Sequence, residues 1–193
     1  MSHTFYTTDA FVVGAIDTGE NNRYVWFFTR ELGVVGAVAS GSRTLRSKTR
    51  YGLSLGAFVT ASFVFGRDVW RLTSIIPISP SISDQNKGKV FLRLLNLVRR
   101  LSPNDGKQTA LFDFFTRIFL LFGNENSSIY ELSLIEKITA LSVLSAFGYG
   151  TKDNLLFPFS NCPNIDADVL SLFKGFEKKA IHEINYALYH SHL

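Results

Sequence analysis

The stretch NRYVWFFTRELGVVGAVA, residues 22–39, contains two runs of β-branched and aromatic residues joined by a short polar connection. Runs of this composition and length predict β-strands, here at Asn22–Thr29 and Gly33–Ala39. Similar runs predict three further strands, at Thr7–Ile16, Phe58–Phe65 and Val69–Ile76. Five strands within the first 80 residues, with a long interruption after the third, favour an OB-fold β-barrel. A small SH3-like barrel fits the same strand count.

The composition changes at residues 77–88, where Pro, Ser and Gly collect. Such clusters punctuate a chain, so we expect a domain boundary here, with the barrel in residues 1–80 and an all-α domain in residues 81–193. Apolar residues recur at helical spacing beyond the boundary. They predict helices over residues 89–101, 109–122, 129–147, 166–176 and 178–188, with residues 109–122 as the central buried helix. The fold class predicted is therefore α+β.

A basic segment separates the third and fourth predicted strands. No acidic residue occurs from Leu32 to Gly66, yet Gly41–Gly52 contains four cations. These cations are Arg43, Arg46, Lys48 and Arg50. Nucleic acid is the commonest partner of such a cluster, because neutralising phosphates releases condensed counterions. A solvated loop that only keeps the protein soluble is the alternative.

The net charge of +4 is unevenly distributed along the chain. Residues 1–107 hold 14 Lys or Arg against 7 Asp or Glu, whereas residues 108–193 hold 6 against 9. This asymmetry indicates a first half that meets a polyanion and a second half that packs or holds a protein partner.

The second predicted strand is rich in aromatic residues. Because alternate residues of a strand face opposite sides, Tyr24 and Trp26 share one face of residues 22–29. If that face is exposed, the two rings could stack against unpaired bases, flanked by Arg23 and Arg30. The alternative is that these aromatics belong to the core or to a domain interface.

Catalytic and metal-binding signals are weak. No Walker A loop occurs, and the single cysteine, Cys162, excludes an internal disulfide and a four-cysteine zinc site. His182, His190 and His192 could in principle ligate a metal, but a polar tail explains them more simply. We therefore expect a non-enzymatic protein without cofactor or metal. The N-terminus lacks a signal-peptide pattern and no apolar run spans a bilayer, so we expect a cytoplasmic location and no membrane partner.

Three motifs resemble those of the bacterial recombination mediator RecO. They are Gly19-Glu20-x-x-Arg23, Phe28-Thr29-Arg30-Glu31-x-Gly33 and Ala37-x-Ala39-x-Gly41-x-Arg43-x-x-Arg46-Ser47-Lys48. Phe147-Gly148-Tyr149-Gly150 further resembles the Gly-Tyr motif that closes a helix in the second domain of that family. The resemblance is good over residues 5–80, loose over residues 85–150 and faint beyond.

The resemblance implies an OB-fold joined to a helical bundle, acting in homologous-recombination repair at the bacterial nucleoid. Family members bind single- and double-stranded DNA, anneal complementary strands and engage the acidic tail of the single-strand-binding protein. With RecR they help to load RecA, using no nucleotide and no catalytic metal. By position, the implied DNA contacts are Arg23, Arg30, Arg43, Arg46, Lys48 and Arg50.

Two departures from the family pattern affect the C-terminal region. Many members carry a four-cysteine zinc module after the Gly-Tyr motif, and this chain has one cysteine there. The chain is also shorter than usual after Gly150. An acidic, Phe-ended tail needs an apolar groove beside a cation, so Arg93, Arg100 or Arg117 next to the Leu- and Phe-rich helices could bind it.

Two other functional classes remain open from the sequence. In the first, the chain is a protein-interaction scaffold whose basic loop docks an acidic partner. In the second, it is an RNA-binding OB protein, for which the 2′-hydroxyl would be recognised.

Overall fold

The computed structural model describes residues 4–42, 51–66, 69–78, 81–102, 106–124, 127–151 and 153–191. The chain divides into two compact units. The first comprises Met1–Ser81 together with Ser102–Thr109, and the second comprises Ile82–Leu101 together with Ala110–Leu193.

The first unit is a closed barrel of five described strands. They are β1 (Phe5–Thr18), β2 (Asn22–Thr29), β3 (Gly33–Ala39), β4 (Phe58–Gly66) and β5 (Val69–Pro77). Their order around the barrel is β1-β2-β3-β5-β4, with β1 paired to β4. Neighbouring strands are antiparallel except β3 and β5, which are parallel. This is the OB arrangement, so the predicted fold is confirmed.

Strand β1 closes the barrel because it pairs with two neighbours. Residues 5–11 pair with β4, and residues 10–18 pair with β2. A register shift between Val12 and Gly14 interrupts the β1–β2 ladder. Such a bulge bends a strand and increases its twist, which lets one strand serve two sheet edges.

The interior of the barrel is filled by inward-facing aliphatic and aromatic residues. The rings of Phe27 and Phe63 meet edge-on at 5.1 Å between centroids. Leu53, in the 3₁₀ turn Tyr51–Leu53, adds to the same core and is 2% exposed. The other buried members are Ala10, Val12, Val25, Val35, Ala37, Ala39, Val59 and Ala61.

The second unit contains six described helices. They are α1 (Gln85–Leu101), α2 (Thr109–Asn124), α3 (Ile129–Ala146), α4 (Phe157–Ser160), α5 (Ala167–Phe173) and α6 (Glu177–His190). Thr109, the first residue of α2, belongs to the barrel unit. No helix in the described part of the chain is long and apolar enough to cross a membrane.

The central helix is α3, not the helix at residues 109–122 as predicted. Every residue from Ile138 to Leu144 is buried, and α3 contacts α1, α4, α5 and α6. In α2, Ala110, Arg117 and Leu120 are exposed. Composition misled the prediction, because a run rich in Phe and Leu is apolar whether or not neighbours surround it.

The ends of α3 are defined by local hydrogen bonds. Ser128 and Glu131 form a reciprocal capping box at its start. At its end, Gly148 has φ +83° and donates its N–H to the Ser145 carbonyl, while Tyr149 donates to Leu144. This is a Schellman closure, and it confirms that the Phe-Gly-Tyr-Gly motif ends a helix.

Candidate nucleic-acid interface

The outer face of β2 carries the two aromatic rings predicted as stacking platforms. Val25 and Phe27 point into the barrel core, whereas Tyr24 and Trp26 lie on the opposite face and are half-buried. The two rings meet edge-on at 4.9 Å between centroids. The β2–β3 face is the surface that OB-folds use to bind oligonucleotides, so these rings are placed where stacking is possible.

Trp26 has a glycine as its partner on each of the two neighbouring strands. In the strand register Trp26 is paired with Gly14 of β1 and with Gly36 of β3. A Cβ built on Gly36 would overlap the phenol ring of Tyr24, so that ring lies across β3 where a side chain would otherwise stand. The aromatic pair therefore covers part of β2 and β3, with the Tyr24 ring over Gly36 and edge-on to the indole of Trp26.

Phe28, the next residue on that face, does not join the aromatic pair. It is fully buried and is paired with Phe11 of β1, whose ring stacks on Phe58 at 4.6 Å. None of these three phenylalanines belongs to the barrel-core cluster. The outer face of β2 is thus divided into an accessible end at Tyr24 and a buried end at Phe28.

Arg71 on β5 is a candidate contact that the sequence reasoning missed. It is paired with Val38 of β3, which is in turn paired with Tyr24, so all three lie on the outer face. Arg71 is exposed, and no ion pair to it is found among the described residues. The alternation of side chains along β5 could have predicted this position. Trp70 and Leu72 pack against the core, so Arg71 between them faces outward.

Arg23 lies at the open end of β2, where the basic segment begins. Its Nε donates to Asp17 at 2.9 Å, and its side chain is 33% exposed. An exposed pair of this kind contributes only about 0–1 kcal/mol, so the guanidinium can exchange Asp17 for a phosphate at little cost. The neighbouring Asn22 accepts the backbone N–H of Gly41 at 3.0 Å. This bond holds the start of the basic segment against β2.

The predicted contacts Arg43, Arg46, Lys48 and Arg50 lie outside the described residues. Their flanks are described on both sides. Ser42 is buried and donates to the Ala39 carbonyl at 2.9 Å, and the segment returns through the buried Leu53. The segment therefore leaves and rejoins the barrel at anchored positions.

Arg30 lies at the other end of β2 from Arg23. Seven residues of extended chain separate the two by about 23 Å, so they do not converge on one point. The Arg30 guanidinium approaches Glu31 at 3.4 Å, and Glu31 also accepts Lys107 at 2.7 Å. The Arg30 carbonyl accepts Thr109 at 3.3 Å. A contact between DNA and the Arg30 guanidinium would have to compete with the Glu31 carboxylate.

The residues of the Thr-Arg-Glu-x-Gly turn, which carries the family resemblance, have structural roles. Thr29 is fully buried, donates its hydroxyl to the Gly33 carbonyl at 2.8 Å and accepts the Leu32 N–H at 2.9 Å. Gly33 has φ +72°, and a Cβ there would overlap the carbonyl of Gly106. The motif thus forms the turn on which residues 106–109 pack.

The three arginines predicted as alternative contacts for a protein partner differ in their local bonds. Arg93 forms a two-pronged pair with Glu136 at 2.7 and 2.9 Å, and this hydrogen bond raises the pKa of Arg93. Arg117 donates to the Pro163 carbonyl at 3.0 Å. Arg100 is exposed. A groove of about 430 Å³ occurs in the helical unit, but Gly148–Gly150 and α6 line it, not these arginines.

Cys162 is not arranged as a nucleophile. Its Sγ donates to the Asn164 carbonyl, and burial, the larger effect, raises the pKa of the thiol. A thiol held protonated in this way reacts slowly. Among the described residues, no three His, Cys, Asp or Glu side chains come together as a metal site.

Comparison with known proteins agrees with the resemblance seen in the sequence. Residues 1–80 match the family described as "Recombination protein O N terminal". The chain is 25% identical over 167 residues to the DNA repair protein RecO of Clostridium novyi, covering 82% of this chain and 60% of the relative. It is 28% identical over 173 residues to that of Caldanaerobacter subterraneus subsp. tengcongensis, covering 82% and 68%. For that of Salinibacter ruber, identity is 29% over 117 residues, covering 57% and 44%.

Proposed function

We propose that the chain is a non-enzymatic DNA-binding protein of recombinational repair, because residues 1–80 match the family described as "Recombination protein O N terminal" and the chain is similar to proteins named DNA repair protein RecO. In this proposal it binds single- and double-stranded DNA through the barrel and promotes annealing of complementary strands. With RecR it helps to load RecA onto strands coated by the single-strand-binding protein, at the bacterial nucleoid. The helical domain, residues 81–193, holds protein partners.

The observation that carries this proposal is the half-buried, outward-facing Tyr24–Trp26 pair, with Arg71 on the same face. Stacking of a base on an aromatic ring contributes about 1–3 kcal/mol and tolerates any base. Cations beside the rings supply phosphate contacts without reading sequence. A mediator that acts on unrelated sequences needs both properties.

The basic segment extends this surface in the proposal. Asn22 holds Gly41 beside β2, and Arg43, Arg46, Lys48 and Arg50 follow Gly41 in the sequence. Each phosphate that they neutralise steepens the salt dependence of binding to a single strand by about 0.7 in log–log slope.

The test is fluorescence anisotropy of a labelled oligo-dT across a salt series. Replacing Tyr24 and Trp26 by Leu is expected to weaken binding at least about tenfold at every salt concentration, since stacking is lost. Changing the four cations of the segment to Ala is expected to reduce the salt slope by up to about 3, and Arg71→Ala by about 0.7. Phe157→Leu and Lys178→Ala change an exposed ring and an exposed cation of the helical unit, and serve as controls.

The outcomes separate the proposals. If the ring variant binds as tightly as the native chain, the aromatic pair is not the stacking site. If the native chain does not bind even at low salt, the DNA proposal fails and the scaffold reading, with an acidic protein on the basic loop, is favoured. Tighter binding to oligo-U than to oligo-dT would favour an RNA-binding protein.

For the tail of the single-strand-binding protein, Arg100 is the contact to test first, because Arg93 and Arg117 already donate to protein groups. An acidic, Phe-ended peptide is expected to lose affinity for Arg100→Glu and to keep it for Lys178→Glu. Equal affinity for both variants would remove Arg100 from the partner site.

A further inference from the structure

A groove of about 430 Å³ opens between the end of α3 and the second half of α6. Gly148, Tyr149 and Gly150 form one wall, and α6 forms the other. The α6 side chains in it are His182, Glu183, Tyr186, Ala187 and His190. All of these residues belong to the second unit, and none belongs to the barrel unit that carries the proposed DNA surface.

Among the described residues that line the groove there is one carboxylate, Glu183, and no Lys or Arg. Glu183 is half-buried, and its Oε2 accepts the Thr151 hydroxyl at 2.9 Å, which holds the carboxylate in place. Thr151 is itself positioned by accepting the Asp153 N–H at 3.0 Å. Lys179, the previous turn's cation on α6, is paired with Asp153 at 2.5 Å. The charge of Glu183 is therefore left to face the groove.

Two helix C-termini add to this negative potential. The wall at Gly148–Gly150 directly follows the last turn of α3, an 18-residue helix without a basic residue in that turn. The last turn of α6 lines the opposite wall, with His190 as its basic residue. Each helix carries a partial negative charge of about half an electron at this end. A cation bound in the groove would be attracted by the partial negative charges of both helix ends.

The aromatic side chains favour a flat, delocalised cation. Tyr149 is 37% exposed and Tyr186 is 52% exposed, so part of each side chain is open to a ligand. The His190 ring lies against the Tyr186 ring, with centroids 4.0 Å apart and planes tilted by 35°. Its Nδ1 lies 2.8 Å from the Tyr186 carbonyl, so that nitrogen donates. In a neutral imidazole the other ring nitrogen is then an acceptor. Aromatic faces, a carboxylate and an acceptor nitrogen together match a guanidinium.

We propose that this groove binds an arginine side chain presented by a basic segment of a protein partner. The guanidinium pairs with Glu183 and packs on the tyrosine rings, and neighbouring residues of the partner cover the exposed ring surface. Tyr189, 81% exposed, and Ile181, 45% exposed, extend that apolar surface along α6. An acidic peptide is disfavoured here, so this site is distinct from any site for an acidic tail. The inference does not depend on DNA binding.

The experiment uses the full chain at about pH 8, where an imidazole is ordinarily neutral. Acetyl-Gly-Arg-Gly-amide is titrated, and the ¹H–¹³C signals of His182 and His190, assigned by His→Gln variants, are followed by NMR. Two matched peptides replace Arg by citrulline, which has the same shape without charge, or by Glu. Glu183→Gln keeps the oxygen that accepts Thr151 and removes only the charge, and Asp168→Asn removes an exposed carboxylate on α5, outside the groove.

The expected result is a saturable shift of both histidine signals with the arginine peptide. We expect the citrulline peptide and the Glu183→Gln variant each to show about five- to tenfold weaker binding, with Asp168→Asn unchanged. Equal binding of the arginine and citrulline peptides, tighter binding of the Glu peptide, or full affinity in Glu183→Gln would overturn the proposal. So would the absence of any shift up to the solubility limit of the arginine peptide.

Discussion

Replacing Gly33 by Ala is expected to destabilise the barrel more than the same change at another left-handed glycine. Two costs add at this position. An L-residue held at φ +72° costs about 1–2 kcal/mol. The new Cβ would also overlap the Gly106 carbonyl, so residues 106–109 have to move away from the turn.

That movement breaks identified contacts. The Thr109 hydrogen bond to the Arg30 carbonyl contributes about 0.5–1.5 kcal/mol, and the exposed Lys107–Glu31 pair about 0–1 kcal/mol. The expected loss in the free energy of unfolding is therefore about 2–4 kcal/mol. With a urea dependence of about 2 kcal/mol per molar, the midpoint should fall by about 1–2 M.

The assay is urea unfolding followed by tryptophan fluorescence. Both tryptophans of the chain, Trp26 and Trp70, lie in the barrel, so the signal reports this unit even though the chain has a second one. Gly19→Ala is the matched control, because Gly19 has φ +64° and a Cβ there meets nothing within 4 Å. That variant should lose only the backbone cost of about 1–2 kcal/mol. Equal destabilisation by the two substitutions would refute the close approach of Gly106 to the turn.

Three further predictions concern the helical unit. Ser128→Ala removes the side-chain cap of α3 and should lower the free energy of unfolding by about 1 kcal/mol, measured by a thermal melt followed by circular dichroism. An unchanged melt would show that α3 does not depend on this cap. Tyr130 donates a hydrogen bond to Glu177, which lowers the pKa of that carboxyl, so the bond stabilises the fold above the unfolded-state pKa and is lost as the pH falls below it. Tyr130→Phe should therefore reduce stability at neutral pH and flatten its decline between about pH 5 and 3, and a parallel decline in both proteins would contradict this. Because partial burial raises the pKa of Cys162, its reaction with a disulfide reagent at neutral pH should be slower than that of a small free thiol, and a rate equal to the free thiol would contradict this effect of its half-buried position.

Much of the barrel follows from local sequence. The bounds of β2 and β3 are those that the aromatic and β-branched runs predict. Strand β1 is longer than predicted, Phe5–Thr18 instead of Thr7–Ile16, because its ends pair with Val64 of β4 and Asn22 of β2. Cross-strand partners far away in the chain decide such ends, and no local pattern records them.

Helix starts and short helices show a similar limit. Helix α1 begins at Gln85 instead of residue 89, because the Asp84 carboxylate accepts the Lys87 N–H at 2.8 Å and so caps the first turn. Helix α4, Phe157–Ser160, was not predicted, since four residues are too few to show a helical period. Helix α5 ends at Phe173 instead of the predicted residue 176. Two residues later Gly175 takes φ +94°, which is not a helical conformation.

The sequence by itself determined the fold class and the strands of the barrel, because side-chain alternation and turn glycines are properties of neighbouring residues. Only the tertiary structure decided that Tyr24 and Trp26 face outward and that Arg71 joins their face, since strand pairing brings residues together across the barrel. It also showed that residues 106–109 pack on the turn formed by Thr29 and Gly33, which depends on a close backbone contact between segments distant in the sequence. The groove beside Glu183 arises in the same way, because two helix ends separated by some forty residues meet only after folding.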